Sequence, residues 1–220
     1  GPHDLGGQSD YGLVNPKPES DEELFTADWE RRIFAITLAV GALGKWNLDQ
    51  SRYCRERQSQ EVYLQNIYYR NWLIGLESLL LEFNLLTSDE LETGISKQEC
   101  DPEEITPLRA PDVYRLLRKG KKSSMVSKEK AAFAPGDIVR VMKRQTNGHT
   151  RAPRYIEDKE GVICASYGSF VFPDKHAEGL KSPEHLYNVE FQSRKLWTSG
   201  VARRDTVRLD LFEPYLEMRQ

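Results

Sequence analysis

The sequence predicts an α+β protein: a helical N-terminal domain that opens with an extended arm, followed by a small SH3-like β-barrel. Three observations predict it. Apolar residues recur at helical spacing through the first hundred residues, a Pro- and Lys-rich stretch interrupts the chain, and short β-rich runs take over from Phe133 onward. At 220 residues the chain can hold one large domain or two small ones, each with a real core. The expected divisions are an arm over 1–24, a helical domain over 25–97, a linker with a short helix over 98–131 and the barrel over 132–220.

Residues 1–24 are rich in Gly, Pro, Asp, Glu and Ser and read as an arm that wraps a partner subunit. A helix is expected over 28–40, because Trp29, Ile33, Ile36 and Val40 recur at helical spacing. Thr26 or Asp28 would cap its start, and Gly41 and Gly44 would end it. A second helix is expected from Leu48 through Arg57, and a third over 68–83. A short fourth begins at Thr87-Ser88-Asp89-Glu90, a hydroxyl followed by an acid in capping-box order. Residues 98–112 carry three prolines and several acids, and 119–130 is rich in Lys and Ser, around a short helix at 112–118. Strands are expected at 137–141, 161–164, 185–191 and 206–211, enough for a small barrel.

Composition excludes several functions. The formal net charge is −3, which argues against a nucleic-acid binder that relies on bulk positive charge. Cys54, Cys100 and Cys164 are scattered, with no Cys/His metal spacing, so no metal site is expected in this chain. A reduced, cytoplasmic setting follows, and no apolar run approaches a membrane span. GxSxG, HExxH, P-loop and dinucleotide fingerprints are absent from the sequence.

Three constellations could carry chemistry. The loop Gly148-His149-Thr150-Arg151-Ala152-Pro153-Arg154-Tyr155 crowds two arginines and a histidine between two expected strands, where a structural turn would favour Gly, Asn and Asp. Arginine on a rigid loop grips oxyanions through paired N–H donors. Equally, Arg151 and Arg154 could pair with Glu157 or Asp158. Arg52, Arg55 and Arg57 form a second group, which on a helix can simply be a solvated face. Tyr68 and Trp72 fall four apart on one helical face, suited either to core packing or to a pocket wall.

In order and spacing, these segments resemble the β subunit of nitrile hydratase. The resemblance rests on His3-Asp4-Leu5-Gly6-Gly7, Asp28-Trp29-Glu30, Leu48-Asp49 ahead of Arg52, and Tyr68-Tyr69-Arg70-Asn71-Trp72. It continues through the 148–155 loop, Gly161-Val162-Ile163, Phe172-Pro173-Asp174, His185-Leu186-Tyr187, Leu196-Trp197 and the closing run 205–217. The resemblance implies a lyase that hydrates a small nitrile to its amide, with this chain in an αβ heterodimer or heterotetramer. In that family the α subunit holds Co(III) or Fe(III) among cysteines, two of them oxidised to sulfenic and sulfinic acid. Arg52 and Arg151 fall where β-subunit arginines hydrogen-bond those oxygens, and this chain would bind no metal itself. The implied pocket wall is Leu48, Tyr68, Trp72 and Phe34, and a tryptophan at 72 is similar to cobalt-type members.

Departures from the family pattern keep other readings open. Ser51 stands where cobalt-type members often carry a bulky aromatic, which implies a wider or more polar pocket. Arg57-Gln58-Ser59-Gln60-Glu61, Pro2-His3-Asp4 and Val62-Tyr63-Leu64 look more like thiocyanate hydrolase, whose two small subunits together correspond to one nitrile hydratase β subunit. The chain could therefore be a fused β-type subunit of a cobalt thiocyanate hydrolase. A non-catalytic activator or metallochaperone is the third reading, although such a protein has no need of the barrel arginine Arg151.

Overall fold

The computed structural model describes residues 1–8, 11–13, 24–97, 105–143, 148–197 and 204–219. Half of the expected arm, residues 98–104 of the 98–112 stretch and with them Cys100 lie outside the described residues. The chain divides into two compact units: residues 1–3 with 9–120, and residues 4–8 with 121–220.

The first unit holds the helices α1 (Asp28–Gly41), α2 (Leu48–Glu56), α3 (Gln60–Gln65), α4 (Tyr68–Glu82), α5 (Ser88–Thr93) and α6 (Ala110–Lys119). The start of α1 differs from the expected cap. Neither Thr26 nor Asp28 caps it; the buried Glu30 carboxylate reaches back and accepts from the Thr26 N–H (2.6 Å) and hydroxyl (3.0 Å). Two of the four expected apolar positions, Trp29 and Ile36, stay exposed. The start of α2 is a capping box that the sequence reading missed: Asn47 Oδ1 accepts from the N–H groups of Asp49 and Gln50, and Gln50 Oε1 accepts from Asn47 N–H. At α5 the expected Thr87/Glu90 box is present, and Gly94 closes the helix with φ of 68°. Where α1, α2 and α4 meet, Trp46, Cys54, Leu76 and Leu79 form the buried core, with Val40, Leu80, Phe83 and Leu85 against it.

The second unit is an antiparallel sheet of β1 (Ile138–Val141), β2 (Glu160–Val171), β3 (Pro183–Gln192), β4 (Thr206–Phe212) and β5 (Leu216–Met218), with short helices α7 (Pro173–Ala177) and α8 (Ser193–Leu196). Strand order is β4-β3-β2-β1-β5. The inward residues alternate as a half-buried sheet requires: Val139 and Val141, then Tyr187, Val189 and Phe191, are fully buried. Gly161 is required by this packing, since a Cβ there would lie 2.6 Å from Val189 Cγ1 and 2.9 Å from Phe191 Cε1.

The expected α+β class is what the structure shows, with an antiparallel five-stranded sheet that is not closed into a barrel among the described residues where the SH3-like barrel is expected. The two edges, β4 and β5, are consecutive in the chain, joined by the 3-10 turn Glu213–Tyr215, yet no ladder pairs them among the described residues. The three residues of β5 pair with β1, Val139 opposite Met218 and Val141 opposite Leu216. Among the described residues no helix is long and apolar enough to cross a membrane.

Candidate functional site

Each unit presents part of the expected site. Arg52 lies in the first and Arg151 in the second.

In the first unit, α2 carries Arg52 one turn after Leu48, which opens the helix and is 57% exposed. Asp49, whose side chain is only 8% exposed, accepts from Arg52 Nη1 at 3.1 Å. A buried carboxylate thus fixes one corner of the guanidinium. No other hydrogen bond or ion pair engages the Arg52 side chain among the described residues, so its remaining donors are available.

The aromatic residues expected at the pocket do come together. Trp72 lies 6.1 Å from Phe34 and 5.8 Å from Tyr68, ring centre to ring centre. Tyr69 joins them at 5.9 Å from Trp72, and Phe25, which the sequence reading passed over, packs at 5.2 Å from Tyr69. The spacing of Tyr68 and Trp72 along α4 gave the signal for the first two; Phe25 precedes α1 and has no periodicity to betray it. Leu48 is not part of this ring cluster.

Arg55 is the residue whose place the sequence did not convey. Its guanidinium carbon stands 4.2 Å from the centre of the Trp72 ring. Its Nε donates to Ser51 O (3.2 Å) and its Nη2 to Ser51 Oγ (3.1 Å). The stem of Arg55 passes α4 at Gly75, where a Cβ would lie 2.5 Å from Arg55 Cγ. Burial pushes the Arg55 pKa down from its ordinary value. Nearby, Arg57 Nη2 donates to Cys54 Sγ at 2.7 Å and pairs with Glu82, while burial pushes the Cys54 thiol up. That arrangement ties α2 to α4.

In the second unit the arginine loop runs between β1 and β2. Buried and exposed residues alternate through it: His149, Ala152 and Ile156 point into the fold, and Arg151 and Arg154 stay outside. The buried residues act as pegs that hold the backbone of Arg151. Its N–H donates to the Tyr215 hydroxyl at 3.2 Å, and that hydroxyl donates in turn to Asp174 Oδ1. Burial, reinforced by the Asp174 charge, raises the Tyr215 pKa well above the ordinary phenol value. On the far side of the loop, Arg154 N–H donates to Asp4 Oδ2 at 2.9 Å. Tyr155 stacks on Trp197 with ring centres 5.5 Å apart. Gly6 and Gly7 lie close over Tyr155; a Cβ on Gly6 would approach its ring to 2.5 Å. Asp158, one of the two acids expected as alternative partners, meets Arg140 at 3.8 Å.

Among the described residues no group of three or more His, Cys, Asp or Glu is placed to hold a metal ion. A cavity of about 560 Å³ in the first unit, lined by Leu43, Lys45, Leu108 and Leu116 among others, includes none of the expected site residues.

Comparison with known proteins covers nearly the whole chain. The family described as nitrile hydratase beta subunit, N-terminal, matches residues 1–120, and its C-terminal counterpart matches residues 122–218. The low-molecular weight cobalt-containing nitrile hydratase subunit beta of Rhodococcus rhodochrous is 36% identical, over 98% of this chain and 98% of its own length. The nitrile hydratase subunit beta of Pseudomonas putida is 37% identical, over 99% of this chain and 98% of its own. Among solved structures, the thiocyanate hydrolase of Thiobacillus thioparus aligns at 26% identity and a TM-score of 0.40, over 41% of this chain and 78% of that one. With both halves of the chain matched in order and relatives at this identity end to end, the protein belongs to the nitrile hydratase β-subunit family.

Proposed function

We propose that this chain is the β-type subunit of a cobalt-dependent nitrile hydratase, paired with an α subunit that carries the metal. The observation that carries the reading is Arg52: a guanidinium anchored at one corner by buried Asp49, with its other donors open to an external acceptor. The donor chemistry of this chain fits the oxygen edge of a partner-held centre better than the metal itself. Co(III) in the α subunit would supply Lewis acidity toward the nitrile or the attacking water.

The remaining steps belong to this chain's own residues. Arg52 and Arg151 hold the anionic sulfenate and sulfinate oxygens of the partner's cysteines through planar N–H forks that lysine cannot copy. Asp49 fixes the direction of Arg52, and the Tyr215 hydroxyl fixes the backbone of Arg151. Phe34, Tyr68, Trp72 and Leu48 line the pocket, keep bulk water from the nitrile and receive its organic group.

The test is co-expression with the partner subunit in cobalt-supplemented cells, with propionitrile and thiocyanate offered side by side. Amide formation is expected. Thiocyanate loss with poor nitrile turnover would move the chain to the hydrolase reading, and no turnover of either would overturn the proposal.

We also assign residues 1–24 the role of an arm that wraps the α subunit. Its described part includes Leu13, which is 97% exposed, and half-exposed Tyr11. Changing Tyr11→Ser together with Leu13→Asp is expected to weaken the αβ complex about tenfold or more, through the loss of two apolar anchors. Size exclusion at low concentration reads this directly. A complex as tight as the parent's removes the arm from the interface.

A further inference from the structure

We infer that Arg55 is a specificity residue that places a positive charge on the aromatic wall and selects substrates whose C≡N group sits on a small anion. This inference rests on the pocket reading above and deepens it.

Three observations converge on Arg55. First, its guanidinium lies on the face of Trp72, in the same ring cluster as Phe34 and Tyr68, so the charge belongs to the wall itself. Second, it is held from two sides. Ser51 accepts from Nε through its carbonyl and from Nη2 through its hydroxyl, and Gly75 opens the slot through which the stem passes. A long, flexible side chain so restrained loses little further entropy when it meets a ligand. Third, the charge has no ion-pair partner, and Glu56 bears on it only at longer range. Among the described residues no carboxylate lies within ion-pair distance of Arg55, and no hydrogen bond uses Nη1. The neighbouring arginines each have a carboxylate partner, Asp49 for Arg52 on α2 and Glu82 for Arg57 just after it.

A partly buried cation with idle donors, in a setting that already depresses its pKa, gains most from an anionic partner. Ser51 is integral to the device. A large side chain there could not offer the hydroxyl that orients Nη2 toward α2 and leaves Nη1 open. A carboxylate-bearing nitrile and thiocyanate share the recognised chemistry, a compact negative charge beside a C≡N bond.

The experiment uses the cobalt-loaded αβ complex and three substrates: cyanoacetate, thiocyanate and neutral propionitrile. The ratio of kcat/KM for the preferred anion to that for propionitrile is measured in the parent, Arg55→Gln and Arg55→Lys complexes. Loss of a charge-assisted hydrogen bond lowers the ratio in Arg55→Gln by about 10–100-fold, and Arg55→Lys restores a large part of it. Which anion shows the drop separates the two sources. The unmutated complex supplies a second readout should the variants fold poorly: its KM for the anion rises with salt while KM for propionitrile does not. A ratio and a salt response that are both flat overturn the role of Arg55 and leave the nitrile hydratase reading standing. Absence of turnover on all three substrates by the loaded parent complex overturns both.

Discussion

Arg52→Lys and Arg151→Lys are each expected to lower kcat on the neutral nitrile by about 100-fold, the usual cost of removing one preorganised donor from a developing charge. Charge is retained in both variants, so the loss would come from the fork. Lysine offers one rotating point of contact where arginine offers two N–H groups in a plane. The two variants should differ in what else they disturb. Replacing Arg52 frees buried Asp49 from its 3.1 Å partner and costs some helix stability. Arg151 keeps the bond from its backbone N–H to the Tyr215 hydroxyl in either variant. Circular dichroism and size exclusion establish that the variants fold and assemble, and steady-state hydration reads the effect. Near-parental turnover in both would remove these arginines from the chemistry.

Alkaline unfolding should expose the two buried phenols of the sheet. Tyr187 donates to Glu213 and accepts from the Phe133 N–H, and burial followed by that hydrogen bond lifts its pKa to about 12 from 10.0. Tyr215 moves in the same direction for the same first cause. The folded state therefore keeps protons that the unfolded chain releases above pH 10, and stability falls as pH rises through the window from 10 to about 12. For Tyr187 a shift of this size is worth on the order of 2–3 kcal/mol, fully present below pH 10. Urea denaturation at a series of alkaline pH values should show the parent losing this increment. Tyr187→Phe should lose less over the same window, because the titrating group is gone. Equal slopes for parent and variant would mean that the phenol ionises as freely in the fold as outside it.

Much of the first unit could be read from residue spacing, because its helices carry their own punctuation. Asp28–Gly41, Leu48–Glu56 and Tyr68–Glu82 fall within one residue of the stretches expected at either end. By contrast α3 was invisible: Gln60–Gln65 is short and mostly polar, and only the Ser59 hydroxyl on Val62 N–H marks its start. In the second unit, pairing overrides local preference. The apolar run Gly161-Val162-Ile163-Cys164 announces a strand, yet β2 continues through Ser166, Tyr167, Gly168 and Ser169 to Val171. Opposite β3, with register shifts after Ile163 and Ser166, those residues complete a ladder that no local pattern could report.

The site divides along the same line. Tyr68 and Trp72 were legible as one helical face, and the arginine loop stood out by composition alone. The place of Arg55 was not, because its meeting with Trp72 depends on two helices passing closely at Gly75. Neither was the support of Arg151, since Tyr215 and Asp174 lie 64 and 41 residues apart from their respective partners in that chain of hydrogen bonds.

The clasp of residues 4–8 on the arginine loop bears on how the protein can be handled. Asp4 holds the Arg154 amide, and Gly6 and Gly7 leave no room for side chains over Tyr155. Residues 4–7 are thus joinery for the loop. Trimming them would unfasten one side of the Arg151 loop, three residues from that arginine, and a bulky substitution at Gly6 would pry at Tyr155 from above.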